Sequence, residues 1–225
     1  MDIQDLKYIP LFSELNETQL DDISKFTVKQ LYKKDNMVLI EEEVGSTMFV
    51  ILNGRVKISR ISDEGREVIL SILVDGDFFG EMAILDGQTR SANAVTLEDT
   101  ELLIIRRENF LQMLHDYPQV AINLLKELAH RLRRSDSQIK SLSLQNALGK
   151  VASTLLRIAD DSGIIKHGQV EISHLPPQQD LANMAGTSRE TISRVIKSLN
   201  LLGYVEKEGS KLKILDYERF RQDFS

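Results

Sequence analysis

A glycine-rich segment from Gly76 to Ala92, GDFFGEMAILDGQTRSA, contains the residue types that bind a phosphate. Gly80 permits a close approach of the backbone, because it has no side chain. The backbone N–H groups of Gly80, Glu81, Met82 and Ala83 can line a concavity that binds an anion. We therefore expect these four residues to hold a phosphate group.

Three side chains of the same segment complete a site of this kind. Arg90 can neutralise the phosphate charge, Ser91 can donate from its hydroxyl, and Glu81 can accept a hydrogen bond from a ribose hydroxyl. An ion pair between Arg90 and Glu81 that only stabilises the fold explains the same residues equally well. Their chemistry alone leaves the two interpretations open.

A second polar cluster begins at Ser188-Arg189-Glu190-Thr191. Arginine can bind guanine O6 and N7 together, and glutamate can accept from cytosine N4, so Arg189 and Glu190 suit base readout in double-stranded DNA. The alternative is a solvated helix face of mixed charge. The residues that we expect to contact DNA are Thr187, Ser188, Arg189, Glu190, Thr191, Ser193, Arg194, Lys197 and Lys211.

The elements around this cluster favour DNA binding over a solvated face. A short helix is predicted from Gln178 to Ala185, a tight turn at Gly186, and a helix capped by Thr187 or Ser188 that ends at Gly203. Its apolar stripe is Ile192, Val195, Ile196, Leu199 and Leu202. Strands from Tyr204 to Ile214 then form a hairpin with lysines for phosphates. Together these elements predict a winged helix-turn-helix.

Composition excludes several other classes of protein. The formal net charge is −6, yet Thr187 to Ile214 has six basic and three acidic side chains, a local charge of +3. Absence of cysteine excludes disulfides, iron–sulfur clusters and thiol nucleophiles, and the four histidines lack the spacing of metal ligands, so we expect no metal. Without a membrane-length apolar run or a basic start in residues 1–5, we expect no membrane partner and a cytoplasmic location.

The elements that position the phosphate segment are predicted to be short strands. Asn53-Gly54 lies between the apolar stretches Met48–Leu52 and Arg55–Ser59, and predicts a β-hairpin. Further strands are predicted at Glu67–Leu73, Ser91–Thr96 and Glu101–Ile105, separated by glycine or acidic turns. Many short strands at this spacing indicate a β-barrel or roll.

A helical pattern follows Pro118, with a seam at alternating steps of four and three residues: Leu128, Leu132, Ser135, Ile139 and Leu142. This is the spacing of a coiled coil, and so predicts a homodimer rather than a monomer with a surface helix. Ser135 is the polar exception in the seam, and Asp136 follows it. We interpret the basic run His130–Arg134 as a solvated face with one ligand or partner contact rather than as a nucleic-acid patch, and we assign the ligand contact to Arg131.

Between this helix and the helix-turn-helix, the sequence predicts a helix from Ala147 to Ala159, a turn at Asp160–Gly163 and a strand at Val170–Ile172. The segment from Asp160 to His167 is interpreted as a loop. Its position makes it a candidate contact for RNA polymerase.

Nearly the whole chain resembles the cyclic AMP receptor protein branch of the bacterial regulators grouped with the fumarate-nitrate regulator. Phe79–Ala83 with Thr89–Ala92 resembles the family's phosphate cassette, and Ser188–Arg194 resembles its recognition helix. The resemblance implies an α+β protein with a cyclic-nucleotide-binding β-roll (double-stranded β-helix) at residues 1–117, a long dimerisation helix at 118–146 and a winged helix-turn-helix at 147–225.

The same resemblance implies roles for individual residues. Glu81 would hold the ribose 2′-hydroxyl, while Arg90 and Ser91 would hold the cyclic phosphate. Ser135 and Asp136 are similar in position to the family's contacts with the adenine amino group across the dimer. Thr89 stands where many cassettes have proline, which is a minor departure. Asp136 stands where a hydroxyl residue is more familiar; it could accept from the adenine amino group, but it leaves the preferred nucleotide open.

The expected function is a homodimeric transcription regulator, not an enzyme, whose affinity for a palindromic TGTGA-like site rises when cyclic AMP binds. One alternative keeps the fold and DNA binding but makes activity independent of ligand, or responsive to another small effector. The other is a cupin-like enzyme or a nucleotide-dependent enzyme regulator. That last alternative lacks clustered histidines or carboxylates for a metal, and the residues after 147 are too few for a catalytic domain.

Overall fold

The computed structural model describes residues 6–224, which form two compact units. The first unit ends at Leu132 and the second begins at Arg133. Residues 1–5, whose lack of a basic start is one ground for the expected location, lie outside the described residues. In the described range, no helix combines the length and hydropathy needed to cross a membrane.

Two antiparallel four-stranded sheets form the centre of the first unit. One sheet has the order β1-β8-β3-β6 and the other the order β2-β7-β4-β5. The strands are β1 (Thr27–Tyr32), β2 (Met37–Leu39), β3 (Thr47–Asn53), β4 (Val56–Ile61), β5 (Glu67–Leu73), β6 (Phe78–Phe79), β7 (Asn93–Thr96) and β8 (Thr100–Arg106). This is the predicted β-roll.

Side chains of strand β3 alternate between two apolar cores, as the period of a strand requires. Phe49 and Ile51 join the core between the two sheets, where Phe49 stacks on Phe79 with ring centroids 5.1 Å apart. Met48 and Val50 point to the opposite face, into a core shared with helices. The sheet containing β3 is therefore buried on both faces.

The helices of the first unit cover that second face. After a 3₁₀ turn at Pro10–Phe12, they are α1 (Glu17–Ser24), α2 (Glu81–Asp86), α3 (Arg107–Asp116) and the first part of α4 (Pro118–Leu144). Val120 and Leu124 of α4 are buried in this core, and Leu128 packs against it. The beginning of the long helix is thus part of the first unit.

The hairpin predicted at Asn53-Gly54 is wrong. The flanking strands β3 and β4 belong to different sheets, so the dipeptide is a corner between them. Gly54 has φ +117°, and its N–H donates to Asp75 Oδ1 at 2.8 Å. A Cβ atom on Gly54 would lie 2.5 Å from Thr100 Oγ1, so close packing at the corner requires this glycine. In this region the hairpin is formed by β4 and β5.

The second unit contains the end of α4 and a small four-stranded sheet of order β11-β12-β10-β9. Its other elements are α5 (Ala147–Ser162), β9 (Ile164–Lys166), β10 (Gln169–Ile172), α6 (Gln178–Ala185), α7 (Arg189–Leu201), β11 (Val205–Glu208), β12 (Lys211–Ile214) and α8 (Tyr217–Phe224). Helix α6 has the predicted bounds, and β11 and β12 form the wing.

Helix α5 continues three residues beyond its predicted end at Ala159. The Ser162 hydroxyl donates to the Ile158 carbonyl at 3.1 Å, and the helix ends at Gly163. A Cβ on Gly163 would lie 2.3 Å from Val170 Cγ1, so only glycine fits at this end. The predicted turn at Asp160–Gly163 is therefore wrong, and the loop predicted to His167 is a helix end and a strand.

Candidate functional site

The Arg90 side chain lies at the centre of the phosphate segment in the first unit, where the residue is only 6% exposed. Its Nη1 donates to the Gly80 carbonyl at 2.7 Å. Its Nη2 donates to the carbonyl and hydroxyl oxygens of Thr47, at 2.8 and 3.2 Å. These acceptors are uncharged, so they fix the guanidinium without neutralising it.

Two glycines make room for this guanidinium. Gly80 has φ +80°, and a Cβ there would lie 2.8 Å from Arg90 Nη1 and 3.2 Å from the Thr47 carbonyl oxygen. A Cβ on Gly45 would lie 2.5 Å from Arg90 Cζ. Sequence analysis singled out Gly80 but missed Gly45 and Thr47, because they are distant in the sequence and belong to no recognisable motif.

Glu81, the first residue of α2, pairs with Arg131 and not with Arg90. Arg131 Nη1 lies 3.3 Å from Glu81 Oε1, and Glu81 is 4% exposed. Arg131 also donates to Glu127 Oε1 at 2.9 Å and to the Phe78 carbonyl at 2.8 Å, with its guanidinium carbon 4.4 Å from the centroid of the Phe78 ring. The alternative Arg90–Glu81 ion pair does not form among the described residues.

Burial shifts the pKa values of both charged groups in this site. It raises the pKa of Glu81, an effect that the nearby charge of Arg131 only partly opposes. It also lowers the pKa of Arg90, with Glu81 acting in the opposite direction. Arg90 is thus a buried cation that no carboxylate in residues 6–224 pairs with directly. A bound phosphate would supply the missing anion.

The remaining predicted residues of the segment divide into exposed and buried ones. Ser91 is exposed, and its hydroxyl lies 3.6 Å from the sulfur of Met82, which is 50% exposed. Ala83 is buried, and its carbonyl accepts the Gly87 N–H that closes α2. The Ser91 hydroxyl therefore lies beside the first turn of α2, to which Met82 belongs.

The last two predicted ligand residues belong to the second unit. Ser135 and Asp136 lie on α4 and are exposed. Their contacts with a nucleotide remain a prediction.

The turn between α6 and α7 in the second unit has the geometry of a helix-turn-helix. Gly186 ends α6 with φ +60°, and the Thr187 N–H donates to the Ala182 carbonyl at 3.1 Å. Ser188, rather than Thr187, caps α7 by accepting the Thr191 N–H at 3.2 Å. A Cβ on Gly186 would lie 2.9 Å from Leu142 Cδ2, so the end of α4 packs directly against this turn.

Helix α7 separates an apolar face from a polar one. Ile192, Val195, Ile196 and Leu199 are buried, whereas Leu202 is 59% exposed and lies beyond the helix end, so its place in the predicted stripe is wrong. Exposed on the opposite side are Arg189, Glu190, Ser193, Arg194 and Lys197, with Ser188 exposed before them and Thr187 and Thr191 half-buried; Asn200 and Leu201 are exposed at the end of the helix. One continuous polar face therefore includes the predicted base readers.

Charge on this face is suited to DNA. Hydrogen bonds from its own backbone N–H and from Ser188 hold the pKa of Glu190 below its ordinary value, so this exposed carboxylate stays ionised at neutral pH. Lys211 is exposed at the start of β12 in the wing, and Lys207 donates to the Gly209 carbonyl at 2.9 Å. The wing thus exposes Lys207 and Lys211, together with Glu206 and Glu208.

Comparison with known proteins matches both units. Residues 29–117 match the family model of the cyclic nucleotide-binding domain, and residues 149–222 match that of the Crp-like helix-turn-helix domain. The chain is 36% identical over 200 residues to the cyclic AMP receptor protein of Thermus thermophilus, which covers 89% of each chain. It is also 31% identical over 188 residues to the CRP-like cAMP-activated global transcriptional regulator of Mycobacterium tuberculosis. The aligned part is 84% of this chain and 84% of that protein.

A solved structure agrees with these relatives. The Thermus thermophilus catabolite activator protein, whose crystal structure is known, is 32% identical in sequence to this chain. The superposition covers 95% of this chain and 97% of that protein, with a TM-score of 0.55. The relatives are transcription regulators and not enzymes. The chain is therefore a DNA-binding transcription regulator of the cyclic AMP receptor protein and fumarate-nitrate regulator family, with a cyclic nucleotide-binding domain.

Proposed function

We propose that this regulator binds cyclic AMP in the first unit and that the bound nucleotide raises its affinity for a palindromic, TGTGA-like DNA site. The observation that carries the proposal is the buried Arg90 guanidinium, whose hydrogen-bond acceptors within residues 6–224 are uncharged oxygens of Gly80 and Thr47. A cyclic phosphate on Arg90 and Ser91 would neutralise it. Cyclic AMP is the first candidate because the Thermus relative is named for that nucleotide.

The proposed ribose contact is Glu81. Arg131 lies 3.3 Å from one of its carboxylate oxygens and so fixes its orientation, which leaves the other oxygen to accept from a 2′-hydroxyl. Arg131 itself belongs to the proposed ligand set. Gly80, Met82 and Ala83 would surround the phosphate with backbone N–H groups, while Ser135 and Asp136 would contact the base.

The proposed assembly is a homodimer through α4. Leu132 and Ile139 of the predicted seam are 63% and 62% exposed, and Leu125, seven residues before Leu132, is 65% exposed. Leu128 of the predicted seam packs instead against the core of the first unit. A second copy would bury the three exposed side chains. We accordingly propose functional domains at residues 1–117, 118–146 and 147–225, with the middle one as the dimer helix.

In the proposed DNA complex, α7 enters the major groove. Arg189, Glu190 and Arg194 read bases, while Thr187, Ser188, Thr191, Ser193, Lys197 and Lys211 position the protein on the phosphates and neighbouring groups. Two such helices in a dimer would lie one helical turn apart, about 34 Å. The proposed further partner is RNA polymerase, and the proposed location is the cytoplasm, where bacterial DNA is transcribed.

Isothermal titration calorimetry of the full-length protein with cyclic AMP and with cyclic GMP tests ligand binding. Wild type is expected to bind, and Arg90→Met to lose binding. Arg60→Met is the matched control, because Arg60 lies on β4 of the same roll but is exposed and pairs with Glu41. Binding of neither nucleotide would overturn the proposal and favour a regulator without this effector. Tighter binding of cyclic GMP than of cyclic AMP would make cyclic GMP the proposed effector.

A further inference from the structure

Arg157 on α5 has a buried guanidinium nitrogen that lacks a partner. Of the buried side-chain nitrogen and oxygen atoms in residues 6–224, Arg157 Nη2 is the one with no hydrogen bond. Leaving such a donor unsatisfied is costly, most of all when the group is charged. Arg157 Nη2 therefore lacks a hydrogen-bond acceptor. A second arrangement of the neighbouring side chains could supply one.

The nearest candidate acceptor is Asp161, one helical turn later on α5. Residues four apart on a helix lie on the same face, where aspartate and arginine side chains can pair. Asp161 instead accepts from Arg134 Nη2, on α4, at 2.6 Å. Its ion pair therefore joins α4 to α5, and both side chains are about two-thirds shielded from solvent, with exposures of 33% for Arg134 and 29% for Asp161.

Electrostatics of the three groups indicate that they compete. Burial lowers the pKa of Arg157, the charge of Arg134 lowers it further, and Asp161 opposes both. Burial also raises the pKa of Asp161, and both arginines act against that rise. Two cations thus face one carboxylate, which directly pairs with Arg134.

We propose that Asp161 exchanges partners, from Arg134 to Arg157, when the end of α4 moves away from α5. Separation of the two helices then costs little, because the carboxylate gains a new cation and the buried guanidinium gains its missing acceptor. The contact between α4 and α5 would then have two arrangements of similar free energy. A ligand that prefers one of two such arrangements can shift the protein towards it.

The position of this ion pair gives the exchange a regulatory consequence. Arg134 directly precedes Ser135 and Asp136, the proposed base contacts, and Leu142 of the same helix packs against Gly186 in the helix-turn-helix. Movement of this part of α4 would therefore alter the support of the DNA-reading turn. This consequence rests on the proposed function, whereas the exchange itself does not.

A double-mutant cycle in the full-length protein tests the exchange. Arg134→Met is made in wild type and in Arg157→Met, and thermal unfolding is followed by circular dichroism. In wild type, Arg157 can replace the lost partner of Asp161, so the loss of Tm should be small. In the Arg157→Met background no replacement exists, and the loss should be about 2 to 4 °C greater. Arg157→Met alone should raise Tm, because it removes an unpaired buried charge.

Equal losses of Tm in the two backgrounds would overturn the exchange. Arg133→Met is the control, since Arg133 is an exposed neighbour on α4. Arg157→Gln repeats the cycle with a polar side chain if the methionine variant does not fold.

The affinity for the palindromic DNA site, with and without cyclic AMP, then tests regulation. Arg157→Met should reduce the change in DNA affinity that the nucleotide causes. A wild type without any nucleotide effect would contradict the proposed function, while the Tm losses of the double-mutant cycle would still support or overturn the exchange.

Discussion

The Glu81 carboxylate lies 3.3 Å from Nη1 of Arg131, and this pair lies beside the buried Arg90 in the first unit. The pair joins the phosphate segment to α4, because Glu81 begins α2 and Arg131 lies near the end of the first unit. A nucleotide that contacts Glu81 would therefore also act on the position of Arg131.

Glu81→Gln should stabilise the protein at neutral pH. Burial raises the pKa of Glu81 above its ordinary value of 4.5, so ionisation costs more in the folded protein than in the unfolded chain. Below pH 4.5 the Glu81 carboxyl is protonated in the folded and the unfolded protein, and wild type keeps its full stability. As the pH rises through the pKa of Glu81 in the folded protein, wild type loses this part of its stability. The Tm of the variant minus that of wild type should therefore grow from pH 4.5 towards neutrality. A difference that is constant or shrinks with pH would contradict this.

Arg131→Met should destabilise the first unit by about 3 kcal/mol, the lower end of the usual cost of breaking a buried pair, because a quarter of the Arg131 side chain is exposed. Chemical denaturation measures the loss. Adding Glu81→Gln should recover part of it, since the uncompensated carboxylate is removed. Arg133→Met is the control and should have little effect. If the double variant is no more stable than Arg131→Met, the loss of stability comes from the packing of Arg131 on Phe78 and not from the unpaired carboxylate.

Gly186→Ala should destabilise the second unit more than Gly209→Ala. Both glycines have positive φ, +60° and +57°, but a Cβ on Gly209 has nothing within 4 Å, whereas on Gly186 it would lie 2.9 Å from Leu142 Cδ2. Gly209→Ala should cost about 1 kcal/mol for backbone strain, and Gly186→Ala about 1 to 3 kcal/mol more if Leu142 cannot move aside. Unfolding in urea measures both. Adding Leu142→Ala should reduce the excess cost of Gly186→Ala, and equal costs for the two glycine variants would rule out the contact.

Arg189→Ala and Lys211→Ala should affect DNA binding differently. Arg189→Ala should cost about 1 to 3 kcal/mol on the specific site and little on random DNA, because a base contact is lost. Lys211→Ala should weaken binding to both DNAs similarly and lower the slope of log affinity against log salt by about one. Fluorescence anisotropy over a salt series measures these effects. Identical patterns for the two variants would refute the assigned roles.

Much of the second unit could be predicted because its signals are local. The bounds of α6, the turn at Gly186 and the wing follow from capping, proline and glycine positions within a few residues of each other. The end of α5 was missed because Asp160, Asp161 and Ser162 favour turns by composition, while Asp161 pairs with Arg134, distant in the sequence. Helix α8 was missed although Tyr217 and Phe220 are buried, since its charged residues obscure the pattern.

The first unit shows the limits of local signals more plainly. Asn53-Gly54 has the strongest short hairpin signal in the chain, yet Gly54 packs against Thr100 at a corner between sheets. Contacts between distant segments override the preference of the dipeptide. The cassette residues Gly80 and Arg90 were recognisable as a motif, but Gly45 and Thr47, which hold Arg90, become evident only once the strands are placed.

In the proposed function, a cyclic nucleotide bound in the first unit controls DNA binding by the second. The most direct test of this control is the affinity of the full-length protein for a palindromic operator, with saturating cyclic AMP, with cyclic GMP and with neither. Cyclic AMP is expected to lower the apparent Kd by about 5- to 150-fold, the usual range of coupling between two sites. Equal affinity in all three conditions would contradict the proposed function.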